Sequence, residues 1–207
     1  MTDDKDGSVA RHPSGLDPAG AIRRRHGRRW VLLGGVLGAI FLLTLLMAFG
    51  LGRDPTLVPS ALVGRPAPEF SLPMLDNASR AISRSGLRGQ VVVVNFFASW
   101  CAECRQEHDA LAAAWERYRD QGVVFVGIPF QDTVSNSKAF ATELAMDWPL
   151  VSDPSDRTAL DYGVLGVPET FFISPSGIVR YRWVGPIDYA TLTDRIDQLL
   201  RAGAKAS

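Results

Sequence analysis

The chain has 207 residues, 46% of them apolar, and its 22 basic residues balance 22 acidic ones. That length suits one domain of ordinary size with appendages, and the apolar share excludes a disordered chain. Residues 1–29 hold seven basic and four acidic residues, which leaves 15 basic against 18 acidic beyond them and excludes the broad basic field that nucleic-acid binding needs.

Residues 1–29 form a tail. Its first 22 residues, rich in Asp, Gly, Pro and Ser, read as disordered. Arg23, Arg24, Arg25, Arg28 and Arg29 then crowd together with no acid among them. From Trp30 to Leu51 there is no charge at all, and these 22 residues span about 33 Å as a helix, enough to cross a bilayer core. A secretory signal has a shorter apolar region and ends in a small-x-small site, which Ala48-Phe49-Gly50 imitates only weakly. The stretch has no polar face, which excludes a buried core helix. It is therefore read as an uncleaved transmembrane anchor. The arginines before it place the N-terminus in the cytoplasm and everything from about Gly52 on the far side, the periplasm in a bacterium.

Residues 52–66, with Pro55, Pro59, Gly64 and Pro66, read as a linker into a folded domain over 67–203. There, Phe70-Ser71-Leu72 and Ala81-Ile82-Ser83 flank Asp76-Asn77 as an edge hairpin. The run Val91 to Phe97 is almost wholly β-branched or aromatic, the pattern of a central strand buried on both faces. A helix is predicted over 102–120, with Leu111, Trp115 and Tyr118 on one face. A second buried strand follows at 123–128, which makes a βαβ unit. Residues 130–162 exceed a minimal connection, and they carry helical patterns at Lys138–Ala145 and Asp156–Tyr162. Thr170–Ile173 and Ile178–Trp183 flank Pro175-Ser176-Gly177 as a hairpin. Leu192, Ile196, Leu199 and Leu200 mark a closing amphipathic helix.

The chemistry lies in Trp100-Cys101-Ala102-Glu103-Cys104. Cys101 and Cys104 are the only cysteines, too few for a disulfide framework. A zinc site would need two more ligands, and of His12, His26 and His108 only the last lies in the domain; no metal site and no cofactor beyond the redox-active pair is expected. Strand-to-helix placement puts Cys101 at the helix mouth, where free N–H groups and the helix dipole stabilise a thiolate. Cys101 is thus expected to be the exposed nucleophile that forms a mixed disulfide, and Cys104 the residue that resolves it. Arg105 follows Cys104, so the motif is not the Cys-x-x-Cys-His of haem attachment.

Val-Asn-Phe-Phe-Ala-Ser-Trp-Cys-Ala-Glu-Cys (94–104) resembles the active-site strand and turn of the thioredoxin superfamily. Gly-Val-Leu-Gly-Val-Pro-Glu-Thr-Phe-Phe-Ile (163–173) resembles the membrane-anchored DsbE/CcmG family of cytochrome c maturation, with TlpA/ResA-type proteins also similar. The resemblance covers roughly residues 60–200 and the anchor. It implies an α/β thioredoxin fold: a central mixed sheet flanked by helices, an N-terminal β-hairpin extension, a central insert and an N-terminal transmembrane helix.

The same resemblance implies roles for further residues. Pro168 matches the family's cis-proline beside the cysteines, and Val167 would offer backbone groups to a substrate strand. Asn95 stands where cytoplasmic thioredoxins carry a buried acid, so another group must take the Cys104 proton. Glu107 matches the acid of the TlpA/ResA-like WCxxCxxE pattern, or is simply an exposed helix acid. Glu169 matches the acid after the cis-proline in the DsbE/CcmG pattern. Trp100 covers the disulfide face or merely packs. Glu103 departs from the family, where proline often stands; a carboxylate there opposes the helix dipole, and a comparatively reducing protein is expected.

The function implied is a periplasmic thiol–disulfide oxidoreductase of the bacterial inner membrane. It would reduce apocytochrome c before haem attachment and be recharged by a transmembrane thiol donor of DsbD/CcdA type, in contact with the haem-ligation complex. The alternatives are a general periplasmic disulfide reductase and a non-catalytic apocytochrome-binding module. A peroxidase is a weaker reading, resting on Pro66-Ala67-Pro68-Glu69-Phe70.

Overall fold

In a computed structural model of the chain, residues 19–51 and 61–204 are described, with side chains described for 30–47 and 61–204. The chain divides into two compact units, residues 1–54 and 55–207.

In the first unit, helix α1 runs Ala19–Leu51. Its segment Trp30–Met47 is long and apolar enough to cross a membrane, and every side chain along it is exposed. The helix begins before the apolar stretch because Ala19, Ala21 and the arginines are good helix formers. Residues 19–22 are thus helical rather than part of a disordered tail. The rest of that reading falls on residues 1–18, outside the described residues.

The second unit is built on strand β3, Val91–Phe97, every residue of which is buried. Around it stand β1 (Ser71–Pro73), β2 (Ala81–Ser83), α2 (Ala102–Tyr118), β4 (Val123–Pro129), α3 (Val134–Glu143), α4 (Arg157–Tyr162), β5 (Glu169–Ile173), β6 (Val179–Val184) and α5 (Tyr189–Ala204). β1 and β2 form the antiparallel hairpin expected around Asp76-Asn77. The main sheet has the order β4-β3-β5-β6. β3 runs parallel to β4 and antiparallel to β5, and β5 is antiparallel to β6.

Strand alternation splits the core in two. Val91, Val93 and Phe97 pack with Leu111 and Tyr118 of α2 and with Leu192 and Ile196 of α5. Val92, Val94 and Phe96 pack on the other face with Tyr162, Phe171 and Ile173. There Tyr162 stands edge-on to Phe171 with centroids 5.1 Å apart, a favourable aromatic geometry. A β3 buried at every position, with Asn95 its one polar side chain, is what lets helices cover both sides.

Two expectations shift. Only residues 52–60 of the linker lie outside the described residues. The end of that segment is stitched to the edge of β6: Gly64 N–H donates to Val179 O (2.8 Å) and Val179 N–H to Arg65 O (3.0 Å). Gly64, at φ 84°, turns the chain onto that edge. Helix α3 spans 134–143 rather than 138–145, because Thr133 caps it by accepting from Asn136 N–H and Ala145 has left the helix at φ 50°.

Candidate active site

Cys101 and Cys104 are joined as a disulfide with Cα atoms 5.3 Å apart. Cys101 is the N-cap of α2, its Sγ accepting from Cys104 N–H at 3.0 Å. One of the free donors of the first helical turn is therefore spent on a cysteine sulfur, as the position at the helix mouth requires. The expectation that Cys101 is exposed fails in this oxidised state, where Cys101 and Cys104 are each 4% exposed. Both cysteines belong to the buried cluster that α2 helps to build, and Val167 packs against that same cluster. Glu103 lies in the first turn of α2 and is exposed, so its carboxylate is solvated.

Glu107, one turn beyond Cys104 on the same face, is buried rather than exposed, at 2%. Its Oε1 accepts from Asn95 Nδ2 (2.8 Å) and its Oε2 from Ile187 N–H (3.0 Å). Asn95 Nδ2 also donates to Thr170 Oγ1 at 3.1 Å, while Asn95 Oδ1 is buried without a partner. Burial pushes the Glu107 carboxyl up to about 7, and the bonds from Asn95 and Ile187 hold it back from rising further. A carboxyl titrating there can take and return a proton near neutral pH.

Glu169 is elsewhere. Asn95 stands opposite Thr170, and Phe96 opposite Glu169; directly opposed residues share a face, so Glu169 points away from the cysteines. It is buried and paired with Arg182, whose Nη2 also donates to Gly163 O at 3.2 Å. Burial raises the Glu169 carboxyl above its usual range and Arg182 pulls it back. The structure thus brings Asn95 and Glu107 together under Cys104 and separates Glu169, which fastens the loop before Pro168 through Arg182.

The Val167–Pro168 peptide is cis, as the resemblance implies. Pro168 O accepts from Gly185 N–H (3.0 Å), while the Val167 backbone makes no hydrogen bond among the described residues. Trp100 is 59% exposed, and its Nε1–H donates to Gln131 O at 3.1 Å. Sequence reasoning missed Thr170, Arg182 and Ile187, because their parts depend on strand register and on a backbone N–H. Arg182 alone left a trace, as a charge inside a strand pattern. Among the described residues no group of three or more His, Cys, Asp or Glu could hold a metal ion.

A helix-capping Cys-x-x-Cys disulfide at the end of a central parallel strand, with a cis-proline opening the neighbouring strand, defines a thioredoxin-fold thiol–disulfide oxidoreductase. Residues 63–182 match the AhpC/TSA family. The chain is 39% identical over 165 residues to the thiol:disulfide interchange protein DsbE of Allochromatium vinosum, covering 79% of this chain and 90% of that protein. It is 36% identical over 154 residues to the thiol:disulfide interchange protein HelX of Rhodobacter capsulatus, covering 73% and 85%. The solved structure of a thiol:disulfide interchange protein of the thioredoxin family from Chlorobium tepidum is similar with a TM-score of 0.59 at 30% identity, over 65% of this chain and 95% of that one. The chain belongs to the AhpC/TSA family and, within it, to the DsbE group of thiol:disulfide interchange proteins.

Proposed function

We propose that this oxidoreductase is anchored by α1 with its N-terminus in the cytoplasm, faces the periplasm, and opens the disulfide of an apocytochrome c before haem attachment. The observation that carries this reading is the unpaired Val167 backbone just before β5, packed against the buried cluster that holds both cysteines. A backbone with free groups at a strand end receives an extended chain by strand addition, and an apocytochrome without its haem is such a chain. The names DsbE and HelX among the relatives support the assignment.

In the reduced form the Cys101 thiolate attacks one sulfur of the client disulfide. A mixed disulfide forms, and the client's other sulfur leaves as a thiolate and is protonated. Glu107 takes the proton of Cys104, whose thiolate attacks Cys101 Sγ and expels the second client thiolate, and that thiolate is protonated as Glu107 gives its proton up. The client gains two electrons and two protons, and the Cys101–Cys104 disulfide remains. A transmembrane dithiol donor of DsbD/CcdA type restores the pair, and the haem-ligation complex takes the client thiols.

The test is a Cys104→Ser chain expressed in cells. It should hold its client as a mixed disulfide through Cys101, and Cys101→Ser should hold none. Captured proteins that include no c-type apocytochrome overturn the client assignment and leave a general disulfide reductase.

A further inference from the structure

We infer that Asp156, in the segment between β4 and β5, is a positioning residue that fixes Trp100 beside the disulfide and so governs how a client chain is received. This rests on the reading that the client docks on the Trp100–Val167 face.

The three residues after β4 bond the end of β3 and the turn that carries the cysteines. Phe130 N–H donates to Phe97 O (2.8 Å), Trp100 Nε1–H to Gln131 O (3.1 Å), and Ser99 N–H to Asp132 Oδ2 (2.8 Å). They extend the β3–β4 pairing beyond its last pair, Phe97 with Pro129, into the active-site turn. Asp132 is itself held in place, its carboxylate also accepting from Thr133 N–H (2.8 Å) and Ser137 Oγ (3.1 Å).

Gln131 is the weak point of this grip. It sits at φ 47°, a left-handed conformation that a glutamine seldom adopts. Its N–H donates to Asp156 Oδ1 at 2.8 Å, and Asp156 is itself left-handed at φ 53°. Two non-glycine residues in a disfavoured region, bonded to each other next to a reactive pair, are the pattern of strain held for a purpose.

Asp156 is free for this task because another acid does its local work. It occupies the N-cap position of α4 yet makes no side-chain cap bond. Asp153 Oδ2 takes the Thr158 N–H instead, at 2.7 Å, and Asp153 Oδ1 accepts from Ser155 Oγ at 2.8 Å. An aspartate at an N-cap ordinarily bonds its own helix; here its carboxylate reaches across to the Gln131 peptide.

Trp100 needs such a hold. An indole this exposed has little packing to choose its rotamer, so the direction of the Gln131 carbonyl sets where the ring lies. The line Asp156, Gln131, Trp100 therefore runs from the segment between β4 and β5 to the rim of the disulfide.

The test uses the full chain in detergent. In Asp156→Ala, the heteronuclear NOE of the ¹⁵N-labelled Trp100 indole should fall to that of a loose side chain. With dithiothreitol as reductant, KM for a synthetic Cys-x-x-Cys disulfide peptide should rise about three- to tenfold, the range one hydrogen bond supports, while kcat holds within twofold. Asp156→Asn keeps the acceptor and should keep both properties. Trp100→Phe keeps an aromatic ring, though a smaller one, but deletes the N–H donor and should raise KM similarly; Asp156→Ala added to it should do nothing more. An unchanged Trp100 NOE in Asp156→Ala, a failing Asp156→Asn, or additive effects in the double variant would each overturn the assignment. The NOE is read without any client, so a failure of the apocytochrome capture leaves it standing.

Discussion

Replacing Glu107 with glutamine keeps the shape of a buried side chain and removes its charge. Oε1 of the new residue can still accept from Ile187 N–H. Asn95 can turn its amide so that Oδ1, now buried without a partner, accepts from the glutamine Nε2, so the variant should fold. The folded carboxyl titrates at about 7 against an ordinary value of 4.5, so between those pH values the folded state holds a proton that the unfolded chain has lost. The carboxyl's stability contribution is complete below the unfolded value and is lost as pH rises through the folded one. At 1.36 kcal/mol per pH unit the loss is about 3 kcal/mol. Glutamine suffers no such loss, so the stability of Glu107→Gln relative to the parent should rise by about 3 kcal/mol between pH 4 and pH 8. Urea unfolding of the oxidised chain in detergent at both pH values measures this. A stability difference that is the same at pH 4 and pH 8 refutes the reasoning. The gain should accompany a functional loss: without a proton acceptor under Cys104, resolution of a mixed disulfide at pH 7 should slow roughly 100-fold, read by stopped-flow release of a labelled peptide thiol.

Arg182→Ala strands the Glu169 carboxylate in the core and should cost about 3–5 kcal/mol in urea unfolding at pH 8; a loss below about 1 kcal/mol would show that the pair is not effectively buried. Gly127→Ala places a Cβ 2.5 Å from Leu150 Cδ2 and 3.3 Å from Trp148 Nε1, and overpacking of this kind costs about 1–3 kcal/mol. Differential scanning calorimetry should show a lower Tm; an unchanged Tm would mean that the Leu150 side chain gives way freely. Tyr118→Phe removes the 2.7 Å bond to Asp197 Oδ1 and should cost about 1 kcal/mol at neutral pH. The loss should vanish in an Asp197→Ala background, and a persisting loss would mean that the hydroxyl acts through other contacts.

Much of the fold was legible because its signals are local. Seven consecutive apolar or amide side chains at Val91–Phe97 can hardly be anything but a doubly covered strand, and Pro175-Ser176-Gly177 announces its own turn. The helix mouth at Cys101 followed from the junction of those patterns. Register was not legible. No local pattern tells that Thr170 faces Asn95 while Glu169 faces Phe96, so the motif match favours Glu169 while Glu107 can equally be an exposed helix acid, and only the pairing of β5 with β3 reverses that order. The burial of Glu107 was hidden for a related reason: a charged residue on a helix reads as solvated unless the chain that covers it, here the Ile187 loop from far along the sequence, is already in place. Gly64 and Arg65 looked like tether because proline and glycine mark edges and linkers alike.

The opposed directions of Glu107 and Glu169 let the molecule vary two properties separately. A change at Glu107 alters proton handling under Cys104 and leaves the Arg182 pair across the sheet untouched. A change at Glu169 or Arg182 loosens the Gly163–Pro168 loop and leaves the carboxyl under the cysteines in its place. Because neighbouring residues of a strand face opposite ways, Glu169 and Thr170 can each serve one of these ends without sharing a partner. Proton affinity beneath the cysteines and the hold on the Gly163–Pro168 loop thus answer to different mutations, and a lineage can change one without disturbing the other.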